Sequence, residues 1–423
     1  MKKLTLAAIG CGNRTRTYMA LASEMMDRYE IVAAADPNSV RLNYIKGISN
    51  NPGFQSFSSA SALLEKDKLA DVLIIGTQDN YHYEPCKAAL LKGYDILLEK
   101  PIAPSVSEIL HLQDLAEGLG RKLQVCYVLR YTPFYRKIKE ILESKVIGEI
   151  ISINANEGVL PWHQAHSFVR GNWSRAGDSS PMIVAKCCHD TDVISWLLGK
   201  ACKSVSSYGS LRYFCSDKAP EGATGRCTDG GCPYLDSCHY NACKYAGEHR
   251  KPWLAQVFDR AEEASDEEVI DWLKKSNYGR CVYYCDNDVV DHQVVSMNFE
   301  DDTTANLTMT AFEIGRQIEI FGTKGFVKGG HFIKQISGSD IFVQTFDGNK
   351  QSYQIDIDEN DHHMGGDAGI MNALYEEMNG IKTVPVSSFI QSHIMAYAAE
   401  ESRLSGKNIT LDEFKENIRG KMQ

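Results

Sequence analysis

Short apolar runs alternate with stretches of helical periodicity over the first 130 residues. Residues 4–9 (LTLAAI) form an apolar run that stops at Gly10. The stretch that follows, about 15–29, carries Ala20, Leu21 and Met25 on one helical face. A second run, EIVAAA, ends at Asp36-Pro37, and a third, 71–77 (DVLIIGT), precedes a helical pattern at about 83–92. A fourth, 95–101 (DILLEKP), is stopped by Pro101, and 122–128 (KLQVCYV) continues the series. Runs that are apolar throughout predict strands buried on both faces. Their alternation with helices predicts a doubly wound parallel sheet of α/β type with right-handed crossovers.

Beyond residue 130 the pattern changes. A strand is predicted at 147–157 and a long helix at 182–198, ending in Trp196-Leu197-Leu198-Gly199. Strands at 288–300 and 302–312 flank Glu300-Asp301-Asp302. More follow at 316–321, 326–328, 340–346 and 351–356, with a turn at Thr323-Lys324-Gly325, before helices at about 367–379 and 388–404. Neighbouring strands without helices between them predict an α+β domain on an open mixed or antiparallel sheet. The expected division is a first domain over 1–128 and a second over 129–423. An insertion rich in Cys, Gly and charge interrupts the second at about 212–275.

A chain of 423 residues is long enough for two or three domains with real cores. Its 45 Lys+Arg stand against 55 Asp+Glu, a net charge of -10, which argues against a nucleic-acid partner. No apolar run approaches the ~20 residues that cross a bilayer. The opening MKKLTLAAIG superficially resembles a signal peptide but runs into GCGNRTRT without an A-x-A cleavage pattern, so it reads as a strand. A cytoplasmic location is the expectation. There, the 13 cysteines favour burial or metal binding over disulfides.

Gly10-Cys11-Gly12-Asn13-Arg14-Thr15 joins the first strand to the first helix. Gly10 permits the tight turn, Gly12 lets the backbone approach a pyrophosphate, and the helix N-terminus offers free N–H groups. The third glycine of G-x-G-x-x-G is replaced by Thr15, so the motif alone is weak. Asp36 strengthens it, since a carboxylate roughly 20 residues on accepts hydrogen bonds from the ribose of a dinucleotide. It would repel a 2′-phosphate, and no arginine follows until Arg41, so NAD is favoured over NADP. The competing reading is an ordinary strand–turn–helix with a surface aspartate.

Glu99-Lys100-Pro101 places a lysine at the strand ends where doubly wound folds bind ligands. Taken together, Gly10, Gly12, Asp36, Thr77, Asn80, His82, Gly93 and Glu99-Lys100-Pro101 resemble the Gfo/Idh/MocA family of NAD(P)-dependent oxidoreductases. The resemblance continues through Arg130, Pro133, Ile147-Gly148, His189-Asp190-Thr191-Asp192, Gly322-Thr323-Lys324-Gly325 and Gly366-Asp367. It implies that Asn13, Arg14, Thr77, Asn80, His82, Glu99 and Lys100 face the cofactor along with the glycines and Asp36. It further implies that Lys100 lies beside the nicotinamide and that His189 is the acid/base for a substrate hydroxyl. The competing reading for His189 is a core histidine. Homo-oligomers, dimers or tetramers, are also implied. One departure stands out: where the family's dehydrogenases usually carry an aspartate, this chain has Ala185, with Lys186 beside it. Lys186 is three residues before His189, so on one helix they would share a face. Lys186 is expected to point into the pocket, with a surface charge as the alternative; a second cation there would favour an anionic or enolate-like species.

Glu157 and the stretch Trp162-His163-Gln164-Ala165-His166 through Arg170, Asn172 and Trp173 mix rings with hydrogen-bond donors, as carbohydrate sites do. His292 leads a strand that can face the same pocket, and His362-His363 precede a late helix, equally well as a helix-entry turn. Cys227, Cys232, Cys238 and Cys243 are spaced C-x4-C-x5-C-x4-C, with Cys215, Cys281 and Cys285 nearby. Zinc sites prefer C-x2–4-C pairs, so structural zinc fits in part, against an iron–sulfur cluster or free or disulfide-linked thiols. The sequence thus points to an NAD-dependent oxidoreductase acting on a sugar, polyol or sugar derivative. The alternatives are an NAD-dependent glycosidase working by transient oxidation and elimination, and a non-catalytic NAD-binding sensor.

Overall fold

The computed structural model describes residues 1–247, 251–356 and 362–422; residues 248–250 of the expected insertion lie outside them. The apolar runs become β1 (Leu4–Ile9), β2 (Tyr29–Ala35), β4 (Val72–Ile75), β5 (Asp95–Leu98) and β6 (Leu123–Val125), with a short β3 (Gln55–Phe57). They form one sheet in the order β3-β2-β1-β4-β5-β6, parallel throughout. Helices α1 (Asn13–Glu24), α2 (Ser39–Ile48), α3 (Ala60–Leu64), α4 (Tyr83–Leu91) and α5 (Val106–Gly118) make the crossovers. The strand order reverses between β1 and β4, and the crevice at that reversal gathers Gly10, Asp36, Thr77 and Lys100.

The second sheet has nine strands. They are β7 (Ile150–Val159), β8 (Cys202–Ser210), β9 (His292–Phe299), β10 (Thr304–Thr310), β11 (Ile314–Gly322), β12 (Gly325–Gly330), β13 (Ile341–Thr345), β14 (Lys350–Tyr353) and β15 (Ile409–Thr410). Their order is β14-β13-β12-β11-β7-β10-β9-β8-β15, mixed because β7 and β10 run parallel while the other pairs are antiparallel. Alternate residues of β9 and β10 are buried, so one face meets the helices. The other is open, with Ile151, Tyr208 and Val294 exposed. The covering helices are α6 (Pro133–Glu143), α8 (Met182–Ala185), α9 (Cys188–Leu198) and the long α14 (Val386–Ser405). A one-turn α7 (Pro161–His163) widens into a π-helical turn over Gln164–Val169. The insertion, with α10 (Lys251–Leu254) and α11 (Asp266–Lys275), packs Tyr245, Leu254, Val269 and Leu273 in a small core with Trp162 of α7. Beyond it lie α12 (His331–Ser337), α13 (Gly366–Met378) and α15 (Leu411–Met422).

Two differences from the sequence pattern matter for the site. The apolar periodicity over 182–198 is not one helix: it breaks at Lys186 and Cys187, between α8 and α9. In addition, α13 packs back onto the first sheet rather than its own. Ile370, Met371, Leu374 and Tyr375 share a core with Leu6, Tyr18 and Tyr29.

Candidate active site

The crevice fits a dinucleotide. Gly10 sits at φ +80°, and a Cβ there would lie 2.8 Å from the Gly76 carbonyl oxygen. Gly12 caps α1 without any side-chain cap, leaving first-turn N–H groups free for an anion. Thr15, in place of the third glycine, still permits close packing because the residue after β4 is a glycine instead: a Cβ on Gly76 would lie 2.3 Å from Thr15 Oγ1. Asp36 ends β2 with Oδ2 accepting the Cys11 N–H (2.6 Å) and Oδ1 accepting the Asn38 N–H (2.7 Å). That fixes the carboxylate toward the ribose position. Asn13 opens α1 beside the glycine turn.

Several residues expected to face the cofactor instead build the walls. Arg14 donates to Glu99 Oε1 (3.2 Å), to both Asp367 oxygens (3.0 and 2.5 Å) and to the Tyr18 hydroxyl (2.6 Å). Against the upward pull of burial, hydrogen bonds from His363 and Arg14 bring the Asp367 carboxyl down to about 2. Glu99 also accepts from Tyr18 and from the Lys100 N–H. His82 is fully buried between the Pro101 and Thr77 carbonyls (2.6 and 3.1 Å) and so pins the loop after β4 to the loop after β5. Thr77 closes its own turn onto Tyr81, and Asn80 donates to the Asp178 carbonyl (2.7 Å).

Lys100 reaches across to the second domain and donates to the Ala185 carbonyl at 2.8 Å. That carbonyl is free because the helix breaks one residue later. The break also corrects the expectation that Lys186 and His189 share a helical face. Lys186 ends α8 and pairs with Glu157 (3.2 Å), whereas His189 opens α9. Glu157 lies opposite Arg316 in the β7–β11 register, and Arg316 Nε approaches Glu157 Oε2 (2.9 Å) and Asp190 Oδ1 (2.7 Å). Lys186, Glu157, Arg316 and Asp190 therefore form one charge-balanced network. Asp190 is pushed up to about 6 by burial, opposed by Arg316 and reinforced by Glu157. His189 is buried with its edge against Tyr127, and its Nδ1 has no hydrogen-bond partner among the described residues. Burial, then the charges of Lys100, Arg316, His363 and Lys186, hold its pKa well below the histidine norm. The result is a neutral imidazole with an unused nitrogen beside a lysine. Arg316, Asp190 and Tyr127 were given no role by the sequence reading.

The predicted substrate stretch divides. His163 is buried near the charged groups: after burial, the charges of Lys186, His166, Lys100 and Arg316 depress its pKa. It packs on Trp253 of the insertion at 5.0 Å between centroids. His166 instead points into the insertion's aromatic core, bonded to the Tyr245 hydroxyl (2.5 Å), with burial taking its pKa to about 4. Arg170 is occupied too, donating to the Arg280 and Tyr240 carbonyls (2.8 and 2.7 Å). Trp173 donates to buried Asp79 (3.0 Å), and exposed Asn172 lines an adjoining polar cavity of about 430 Å³ together with Asp79, Tyr81, Arg175 and Arg280. His292 bonds Asp291 (2.8 Å) at the start of β9, and none of its described contacts reaches Lys100 or His189. His363 bonds Asp367 at the entry to α13, while the His362 side chain lies outside the described residues.

The zinc expectation is not supported. Among the described residues no three of His, Cys, Asp and Glu come together as a metal site, Cys227, Cys232, Cys238 and Cys243 included. All thirteen cysteines are free thiols. Burial raises the pKa of Cys238 and Cys243, which keeps them protonated, and the Cys243 thiol donates to the Cys227 carbonyl (3.6 Å). Cys227 packs against the Tyr245 and Leu254 core, and Cys238 against that of Phe214 and Tyr240.

Residues 4–127 match the family model described as "Oxidoreductase family, NAD-binding Rossmann fold", and residues 139–387 match "Oxidoreductase family, C-terminal alpha/beta domain", both of the GFO_IDH_MocA group. The Bacillus subtilis (strain 168) protein YteT is 26% identical over 388 residues, 86% of this chain and 87% of YteT. Inositol 2-dehydrogenase of Corynebacterium glutamicum (strain R) is 26% identical over 205 residues, 48% of this chain and 57% of the enzyme. In fold, the chain is similar to an Agrobacterium radiobacter oxidoreductase solved with NAD+, L-tartaric acid and magnesium: TM-score 0.69, 14% identity, covering 98% of this chain and 100% of that one. It is also similar to scyllo-inositol dehydrogenase of Lactobacillus casei solved with NAD(H) and scyllo-inositol: TM-score 0.65, 18% identity, covering 97% and 100%. No helix among the described residues is long and apolar enough to cross a membrane.

Proposed function

Because the chain belongs to the Gfo/Idh/MocA family of oxidoreductases, we propose that it is an NAD-dependent dehydrogenase acting on a hydroxyl-bearing carbon of a sugar, polyol or sugar derivative. The observation that supports this reading best is that Lys100, anchored on the Ala185 carbonyl, lies near enough for its charge to depress the pKa of the buried His189 imidazole, whose Nδ1 is unpaired among the described residues. NAD, when bound, supplies the two-electron carrier for hydride at the reacting carbon. The Gly10 and Gly12 turn and the α1 N-terminus hold its pyrophosphate, and Asp36 accepts from its ribose. His189 takes the hydroxyl proton on its imidazole, and the Lys100 ammonium hydrogen-bonds the oxygen as negative charge builds. The Lys186–Glu157–Arg316–Asp190 network and His163 present donors and acceptors of both signs to a polyhydroxylated ligand. Inositol dehydrogenases among the relatives support the same class.

The glycosidase alternative rested on Ala185 in place of an aspartate and on Lys186 as a second cation; Lys186 is paired with Glu157, and the relatives named above are oxidoreductases and dehydrogenases rather than glycosidases. The proposal extends to a dinucleotide domain over 1–128, to a cytoplasmic location, and to dimers or tetramers packed through the open face of the nine-stranded sheet. The test is absorbance at 340 nm with excess NAD and a panel of inositols, hexoses, uronates and polyols. Net NADH with at least one of them is expected. Retained NAD and release of aglycone from an aryl glycoside without net NADH would overturn it.

A further inference from the structure

Cofactor choice in this fold depends on what stands beside the adenosine ribose. Asn38 donates its backbone N–H to Asp36, and its side chain caps α2 by accepting from the Val40 and Arg41 amides. Arg41 is therefore held close to Asp36, where a guanidinium would grip a 2′-phosphate by two hydrogen bonds. It is already engaged. Asp259, from the insertion, accepts from Arg41 Nη2 at 3.4 Å and from Asn38 Nδ2 at 3.0 Å.

We propose that Asp259 is a cofactor-selectivity residue, carried by the insertion to the first domain, where it occupies Arg41 and adds its charge to that of Asp36 against a 2′-phosphate. The inference rests on the NAD reading above. The pair is partly exposed, with side-chain accessibilities of 33% for Arg41 and 40% for Asp259, so it adds little to folding stability. Its effect on a ligand is larger. Removing Asp259 both frees a cation and deletes an anion within reach of a group carrying two negative charges.

The test is calorimetric binding of ADP and of 2′,5′-ADP to the full chain, which needs no turnover. Asp259→Ala is expected to tighten 2′,5′-ADP by about tenfold relative to ADP, with the gain shrinking at high salt as the charges are screened. Asp259→Asn, which keeps the side-chain shape, should reproduce most of the gain, and Arg41→Ala should remove the larger part of it in the double variant, leaving the share due to the deleted anion. An unchanged ratio in Asp259→Ala, or a gain that persists in full without Arg41, overturns the inference. If the wild-type chain binds neither ADP nor NAD, the proposed function itself fails. Binding of both with an unchanged ratio sinks the selectivity role alone.

Discussion

At the scale of single residues, the role of base proposed for His189 starts from its burial and from an Nδ1 left unpaired among the described residues. Its depressed pKa has a definite sign in kinetics. The active form is the neutral imidazole, and burial and neighbouring cations favour that form. The acid limb of kcat/KM is therefore expected well below the ordinary histidine value of about 6.5. His189→Asn should lower kcat by roughly 10²–10⁴ while leaving ADP binding in place, since the first domain holds the nucleotide. A pH–rate profile and calorimetry check both, and an acid limb at or above 6.5 would remove His189 from the role of base. Lys100 and His189 could be proposed from sequence because each sits in a motif of fixed spacing. Arg316 was not. A lone arginine on a strand reads as a solvated side chain, and only the pairing of β11 with β7 brings it opposite Glu157. Asp190 stood within a recognised motif, yet its partner lies on another element. Register is a tertiary property, and local pattern does not carry it.

At the scale of elements, the parallel sheet was readable because its strands are buried on both faces and therefore nearly continuous in apolar residues. β8 escaped notice, since CKSVSSYGS offers few apolar positions. The break between α8 and α9 escaped for a different reason. Apolar spacing continues across it, and the free Ala185 carbonyl is taken by Lys100 from the other domain. The glycine fingerprint also shows how one element compensates for another. Thr15 departs from the motif, but Gly76, just past the neighbouring strand β4, leaves room for it. Gly76→Ala is expected to cost about 1–3 kcal/mol through overpacking against a buried hydroxyl. Thr15→Ala should recover much of that loss. A double-mutant cycle by urea denaturation measures the coupling, and additive effects would show that the two positions do not meet.

At the scale of the whole molecule, the chain leaves the first domain, builds the second, and then returns. α13 supplies Ile370, Met371, Leu374 and Tyr375 to the core of the first sheet, and buried Asp367 pairs with Arg14 of α1. The Tyr29 hydroxyl donates to the Met371 carbonyl at 2.5 Å. α14, packed in the continuous core that spans both sheets, follows directly in sequence. Unfolding either domain therefore strips apolar cover from the other, so one cooperative transition is expected rather than two. The five tryptophans allow a clean test, because all of them lie beyond residue 128. Their fluorescence reports on the second domain, whereas ADP binds the first. If the domains are coupled, ADP at 100 times its Kd should add about 2.7 kcal/mol to the stability seen by tryptophan. It should shift that curve together with the far-UV signal. A tryptophan transition that stays put while ADP moves the rest would mean that α13 covers the first sheet without tying its folding to the second.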